Sequence, residues 1–298
     1  MHQDNYSKAP GLRRSDLWEI HKSPQHFHAK MQEPKNPSPA MLFGIAAHKY
    51  ILEPDTFFDE YAVAPKVDKR TKAGKETWAA FVEDCTTNDK EAIDEATFQQ
   101  IKDMTEALYA NPLAKQVLEG QHETEWYWTD PDTQEPLKAK CDNITTYDGK
   151  PYIVDYKTTD SCEDGHFERA SKNFGYQFQA GFYTSGVELT TKIPHGFIFV
   201  AQEKKPPYAC RVYVCSDLFI ENGKAQFKEL LQLYHECNTN NTWYGYEGTP
   251  DNPVPTPLMD DSERFSTRRR TVAYQTGFRS DDYLTDTDED DDSGYDDI

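Results

Sequence analysis

Asp142, Asp155 and Lys157 are the residues of this chain whose types and spacing could do hydrolytic chemistry on a phosphate ester. Two carboxylates can hold a divalent cation, which lowers the pKa of a bound water and offsets charge developing at phosphorus. An amine beside them can orient that water, deprotonate it, or stabilise an oxyanion, and the sequence leaves these three roles open for Lys157. The competing reading of the three residues alone is a surface ion pair on a hairpin.

The elements that must position them are strands. Asp142 lies in the alternating stretch 137–144, and Tyr147-Asp148-Gly149-Lys150 has hairpin-turn chemistry before the apolar run Tyr152-Ile153-Val154. Two antiparallel strands therefore bring Asp142 and Asp155 together. Side chains alternate along a strand, so Asp155 and Lys157 share a face, while Tyr156 points away and leaves its backbone carbonyl near the site.

Upstream, residues 12–20 have apolar spacing suited to a short helix, and Pro24 starts another after Ser23. Pro34, Pro37 and Pro39 mark a loop, and residues 40–52 read as a helix carrying Gly44 and His48 one turn apart. Residues 55–75 look irregular, and 76–118 read as mostly helical with breaks at 86–89 and Pro112. Three strands follow, the first holding Glu125, Trp126 and Trp128, the two tryptophans reading as core. A long helix is then expected over about 167–186, carrying Gln179 and Tyr183 one turn apart, followed by strands at 195–203 and 209–214 and a helix at 216–237. Helix, three strands, helix and strands together imply an α/β sandwich around a mixed sheet.

With 298 residues, 37% hydrophobic and 13% aromatic, the chain can bury one sizeable core. No apolar run approaches the roughly 18 residues of a membrane span, so no membrane partner is expected. The N-terminal residues lack the basic-then-apolar pattern of a secretory signal, which makes the cytoplasm the default. The six dispersed cysteines (Cys85, Cys141, Cys162, Cys210, Cys215 and Cys237) read as reduced thiols. The net charge of −20 argues against a phosphate-rich partner only superficially. Half of it sits in residues 281–298, which hold ten acidic residues and no basic one, while basic clusters remain at 66–75 and at Arg268-Arg269-Arg270. Residues 1–258 read as one domain, and 259–298 as a polar, acidic tail that cannot bury enough apolar surface to fold alone.

Five ordered blocks carry a resemblance: Ser23-Pro24-Gln25-His26-Phe27; residues 42–48 ending in Gly44 and His48, with Leu52-Glu53-Pro54; residues 70–75; Val154-Asp155-Tyr156-Lys157-Thr158-Thr159; and residues 176–183 with Gln179 and Tyr183. Together with Asp142 they resemble the PD-(D/E)XK nuclease superfamily, its RecB-like branch, and most nearly the exodeoxyribonuclease VIII (RecE) nucleases and their phage relatives, over about residues 12–246. One departure is Cys141, where the superfamily often has Pro.

The resemblance implies a restriction-endonuclease-like core with an N-terminal helical extension. It implies a Mg²⁺-dependent exonuclease, with Mn²⁺ as a possible substitute, acting 5′ to 3′ on the ends of linear double-stranded DNA. The implied metal ligands are His48, Asp142, Asp155 and the Tyr156 carbonyl; Lys157, Gln179, Tyr183 and, more weakly, Glu125 complete the catalytic set. It further implies a homo-oligomeric ring, a single-strand annealing partner, and residence in the cytoplasm of a bacterial or phage-infected cell. The cysteine spacing does not reproduce the cluster-binding pattern of some branch members, so no iron–sulfur cluster is expected. A structure-dependent endonuclease and a non-catalytic acidic scaffold are the alternatives.

Overall fold

The structure, a computed structural model, describes residues 5–33, 37–246, 248–249 and 252–253. The acidic tail and Arg268-Arg269-Arg270 lie outside the described residues.

The chain opens with helices α1 (Asn5–Lys8), α2 (Arg14–Ile20), α3 (Pro24–Gln32) and α4 (Pro39–Leu52). The last two start where proline at the first turn follows a serine cap: Ser23 Oγ accepts from the N–H of His26, and Ser38 Oγ from that of Met41. A 3₁₀ turn, Pro54–Thr56, leads to α5 (Phe57–Glu60), β1 (Tyr61–Val63), α6 (Lys72–Asn88), β2 (Glu91–Ile93), α7 (Glu95–Ala110) and α8 (Pro112–Leu118). The parallel β1–β2 pair falls partly in the stretch expected to be irregular. Three residues per strand are too few for a period to register. Helix α6 ends at Asn88, inside the break expected at 86–89, with Asp89 after it in the left-handed conformation (φ 54°).

The core follows: β3 (Gln121–Thr129), β4 (Pro136–Tyr147), β5 (Lys150–Thr159), α9 (Asp164–Phe174), α10 (Tyr176–Thr191), β6 (Gly196–Glu203), β7 (Cys210–Val214) and α11 (Asp217–Asn240). Among the described residues the main sheet has the order β3-β4-β5-β6-β7, parallel at β5–β6 and antiparallel elsewhere. This is the mixed sheet flanked by helices of a restriction-endonuclease-like fold. Strands β5 and β6 are covered on both faces, so they read as nearly continuous apolar runs. Ile153, Phe197, Phe199 and Ala201 pack with Phe167 and Tyr176 of α9 and α10, while Val154, Tyr156, Ile198 and Val200 pack with Ile51, Leu108 and Leu118 of α4, α7 and α8. Trp128 is buried against Phe182 and Trp126 only partly so.

The long helix expected at 167–186 is two helices. Gly175 breaks it at φ +64°, and a Cβ there would lie 2.5 Å from the Trp18 ring of α2. The apolar period continues across the break, so sequence alone did not show it. A separate short pairing, β8 (Gly248–Thr249) with β9 (Asn252–Pro253), belongs to a second unit. No helix among the described residues is long and apolar enough to cross a membrane.

Candidate metal centre on splayed strands

Pairing between β4 and β5 runs from Tyr147↔Lys150 to Asn143↔Val154 and stops there. Asp142 and Asp155 are the next residue on each strand, so both carboxylates sit where the ladder opens. Beyond the end of the β4–β5 ladder, the Tyr156 N–H donates to Asp142 Oδ2 at 2.8 Å, while Tyr156 stays in register with Val200 of β6. Further along, the open edge of β4 is filled by the N-terminal segment: Leu12 N–H donates to Pro136 O, and Lys138 N–H to Leu12 O. The Lys138 ammonium is buried and donates to the carbonyls of Tyr6 and Ala9, fixing that segment in place.

His48 reaches this opening from α4. Its Nε2 lies 2.8 Å from Asp142 Oδ2 and its Nδ1 3.5 Å from Glu123 Oε1. Glu123 faces Asp142 from β3, between the pairs His122↔Asn143 and Thr124↔Cys141, in the left-handed conformation (φ 53°). Potential ligand atoms of His48, Glu123 and Asp142 all lie within 4.8 Å of one another.

Asp155, 4% exposed, lies beside this trio, close enough for Asp142 and His48 to bias its charge. Its Oδ1 accepts from Gln179 Nε2 of α10, and its Oδ2 lies 2.7 Å from Lys157 Nζ, an ion contact without directed hydrogen-bond geometry. Lys157 Nζ also sits 5.4 Å from the centroid of the Tyr176 ring.

The electrostatics follow from crowding acids, bases and burial in one place. Burial alone would lower the His48 imidazole, but Asp142 and Glu123 outweigh it and lift its pKa to about 9. Burial pushes Asp142 up, yet His48 and Lys157 hold it below the usual carboxylate range. Asp155 goes the other way: burial and the Asp142 charge raise it against the opposing pull of Lys157. Burial likewise raises Glu123, opposed by His48 and by Lys140, whose Nζ is 2.5 Å from Glu123 Oε2.

A divalent cation fits this set. Glu123 Oε1 and Asp155 Oδ2 are buried oxygens with no hydrogen-bond partner among the described residues, and the donors are carboxylates plus one imidazole. His48, Asp142 and Glu123 would hold it.

Of the residues singled out by sequence, His48, Asp142, Asp155, Lys157, Gln179 and the Tyr156 backbone come together. The Tyr156 side chain points away, its hydroxyl donating to Gln202 Oε1. Tyr183 packs its ring edge-on against Phe182 and Phe197 under Asp155, and burial raises its phenol well above the ordinary value. Glu125 is exposed, lines a cleft beside His48 and Lys157 and accepts from the Tyr127 hydroxyl, while Glu123, which sequence reasoning missed, meets Asp142. The two glutamates share a strand face, and only the β3–β4 register chooses between them. Arg14 had no sequence signal. Its guanidinium packs over Trp18 and donates to Gly175 O, its Nε is buried without a partner among the described residues, and Asp155 and Tyr183 are close enough to bias its charge.

A mixed sheet whose central antiparallel pair splays at two aspartates, with a lysine two residues beyond the second, defines a PD-(D/E)XK nuclease-superfamily domain. Residues 14–251 match the model of the family described as "PDDEXK-like domain of unknown function (DUF3799)", and the chain belongs to that family. Among solved structures it is similar to a "Putative exonuclease" from Eubacterium rectale, with a TM-score of 0.55 and 14% identity over 89% of this chain and 97% of that one. At that identity the likeness concerns the fold. A second structure, of the protein SSO0001, aligns at TM-score 0.25 and 12% identity over 72% of this chain and 85% of that one. No curated protein matches the chain.

Proposed function

We propose that this chain is a metal-dependent exodeoxyribonuclease that hydrolyses the phosphodiesters of linear double-stranded DNA from an end. The observation that carries the reading is the convergence of His48, Glu123 and Asp142 beside Lys157, with two buried carboxylate oxygens left without hydrogen bonds. Oxygen-rich donors favour Mg²⁺, and the imidazole also admits Mn²⁺. Such a cation supplies a water of lowered pKa and compensation for charge on the phosphate.

The chain's own residues do the rest. Tyr156 N–H and His48 orient Asp142, and Gln179 orients Asp155. Asp155 in turn holds the Lys157 ammonium at the site, where it orients the attacking water or neutralises the developing oxyanion. The 5′-to-3′ direction, a homo-oligomeric ring and a single-strand annealing partner belong to this reading through the resemblance to RecE-type nucleases. The name of the Eubacterium rectale protein is consistent with end-dependent digestion.

An end-labelled linear duplex incubated with Mg²⁺, Mn²⁺ or chelator tests activity, direction and metal together. Label released as mononucleotides from linear DNA, with covalently closed circles left intact, is the expected result. Cutting of closed circles would replace the exonuclease reading by an endonuclease, and metal-independent cleavage would remove the metal site from the chemistry.

A further inference from the structure

A cleft of about 1410 Å³ opens directly from the acid cluster, well above the roughly 300–1,000 Å³ of a small-molecule pocket. One end is lined by His48, Glu123 and Lys157; its walls are α4 and α6. Helix α4 turns Met41 and Ile45 into it, 59% and 51% exposed. Helix α6 answers with Trp78, Phe81 and Val82, the last 45% exposed. These α6 positions recur at helical spacing on one face, and the residues α6 does bury are Gly74 and Cys85. An apolar stripe facing an open cleft beside a hydrolytic site is a binding surface in search of its ligand's apolar part.

Charge says what that part belongs to. The start of α6 and the loop before it carry Lys66, Lys69, Arg70, Lys72 and Lys75, all exposed. Lys69 Nζ lies 3.0 Å from the centroid of the Trp78 ring, itself 5.5 Å from Phe81. Seven carboxylates against four lysines line the cleft itself, Lys49 paired with Glu53 and Glu60 and Lys140 with Glu123, so its walls are net acidic. A polyanionic backbone is attracted to the basic start of α6, which Lys69 joins to the cleft wall at Trp78, and disfavoured by the net-acidic lining, whereas flat, uncharged rings are welcome inside. Interleaved cations and aromatics of this kind grip a single strand by its phosphates while stacking its bases.

Resting on the nuclease reading above, we propose that this cleft is a track for the unpaired bases of one DNA strand. Trp78 and Phe81 form its stacking platform, Met41 and Ile45 its opposite wall, and the basic rim of α6 holds the backbone. Paired bases present no free face, so the strand enters after separation from its complement.

The test uses the full chain with Ca²⁺ in place of Mg²⁺ and fluorescence anisotropy of two labelled single strands, a short thymidine oligomer and an abasic oligomer of equal length. The native chain should bind the thymidine oligomer on the order of 10-fold or more tighter than the abasic one. Trp78→Ala and Phe81→Ala should each lose most of that preference, and Trp78→Phe should retain it. Equal binding of the two oligomers by the native chain, or undiminished preference in both alanine variants, overturns the proposal. Mn²⁺-dependent hydrolysis of bis-p-nitrophenyl phosphate, which has no base to stack, should be unchanged in the variants, and its loss in them would assign α6 to the metal site instead and overturn the stacking role. Its absence from the native chain would sink the nuclease reading on which the track rests, whatever the anisotropy shows.

Discussion

Cation binding should expel a proton from His48, and the pH dependence of affinity measures it. In the metal-free protein Asp142 and Glu123 overcome the effect of burial and hold the imidazole as a cation up to about pH 9. A metal can use only a neutral ring nitrogen. At pH 7, about two units below that value, roughly one ring in a hundred is neutral, which lowers the affinity by about 2.7 kcal/mol at about 1.36 kcal/mol per unit. The Kd for Mn²⁺ should therefore tighten about tenfold per pH unit from 7 towards 9, then level off. Asp155, lifted to about 6 by burial against the pull of Lys157, is ionised across that window and weakens binding only at lower pH. Isothermal titration calorimetry in two buffers of different ionisation heat counts the protons: about one released per cation at pH 7, falling towards zero in His48→Ala. A flat affinity with no proton release would falsify the reasoning. Stability obeys the same shift. Because the folded-state value is raised above the ordinary 6.5, the His48 contribution is complete below pH 6.5 and is lost as pH rises through about 9. The melting temperature of the metal-free protein should fall across that range, and His48→Ala should flatten the slope.

Lys157→Ala should reduce hydrolysis of labelled duplex at least about 10²–10³-fold, the scale of one preorganised charge contact, while the fold survives because the raised Asp155 can take up a proton. Near-native rates would remove Lys157 from the chemistry. Gly181→Ala places a Cβ 2.0 Å from the Gly223 backbone where α10 crosses α11, and urea unfolding should register a loss of about 1–3 kcal/mol or more; an unchanged midpoint would mean that the crossing has slack.

What the sequence revealed, and what it hid, divides by the range of the interaction. Asp155 and Lys157 were legible because they lie within one strand, and Gln179 because a helical turn ties it to a neighbouring motif. Glu123 was hidden because the β3–β4 register is set elsewhere, by the loop in which Asp130 Oδ1 accepts from the N–H groups of Asp132 and Thr133. The break at Gly175 was hidden because its cause, the Trp18 ring, comes from a helix far upstream. Arg14 reaches the neighbourhood of Asp155 from the same helix, and no local pattern marks it. The mixed sheet itself was readable because β4 alternates, β5 and β6 carry short apolar runs, and α3, α4, α6, α7, α8 and α11 each start at a side-chain cap.

The backbone of Leu12 beside β4 carries a consequence for anyone trimming the chain. The family match begins at residue 14, and a fragment cut there would keep every group at the metal centre. It would nonetheless take the Tyr6 and Ala9 carbonyls from Lys138 and the backbone bonds of Leu12 from the exposed flank of β4, four residues from Asp142. That flank would then be a bare strand edge, free to recruit another molecule's backbone. Residues 6–12 thus act as a tether, and their removal would produce aggregation and weakened hydrolysis that could be mistaken for a damaged active site.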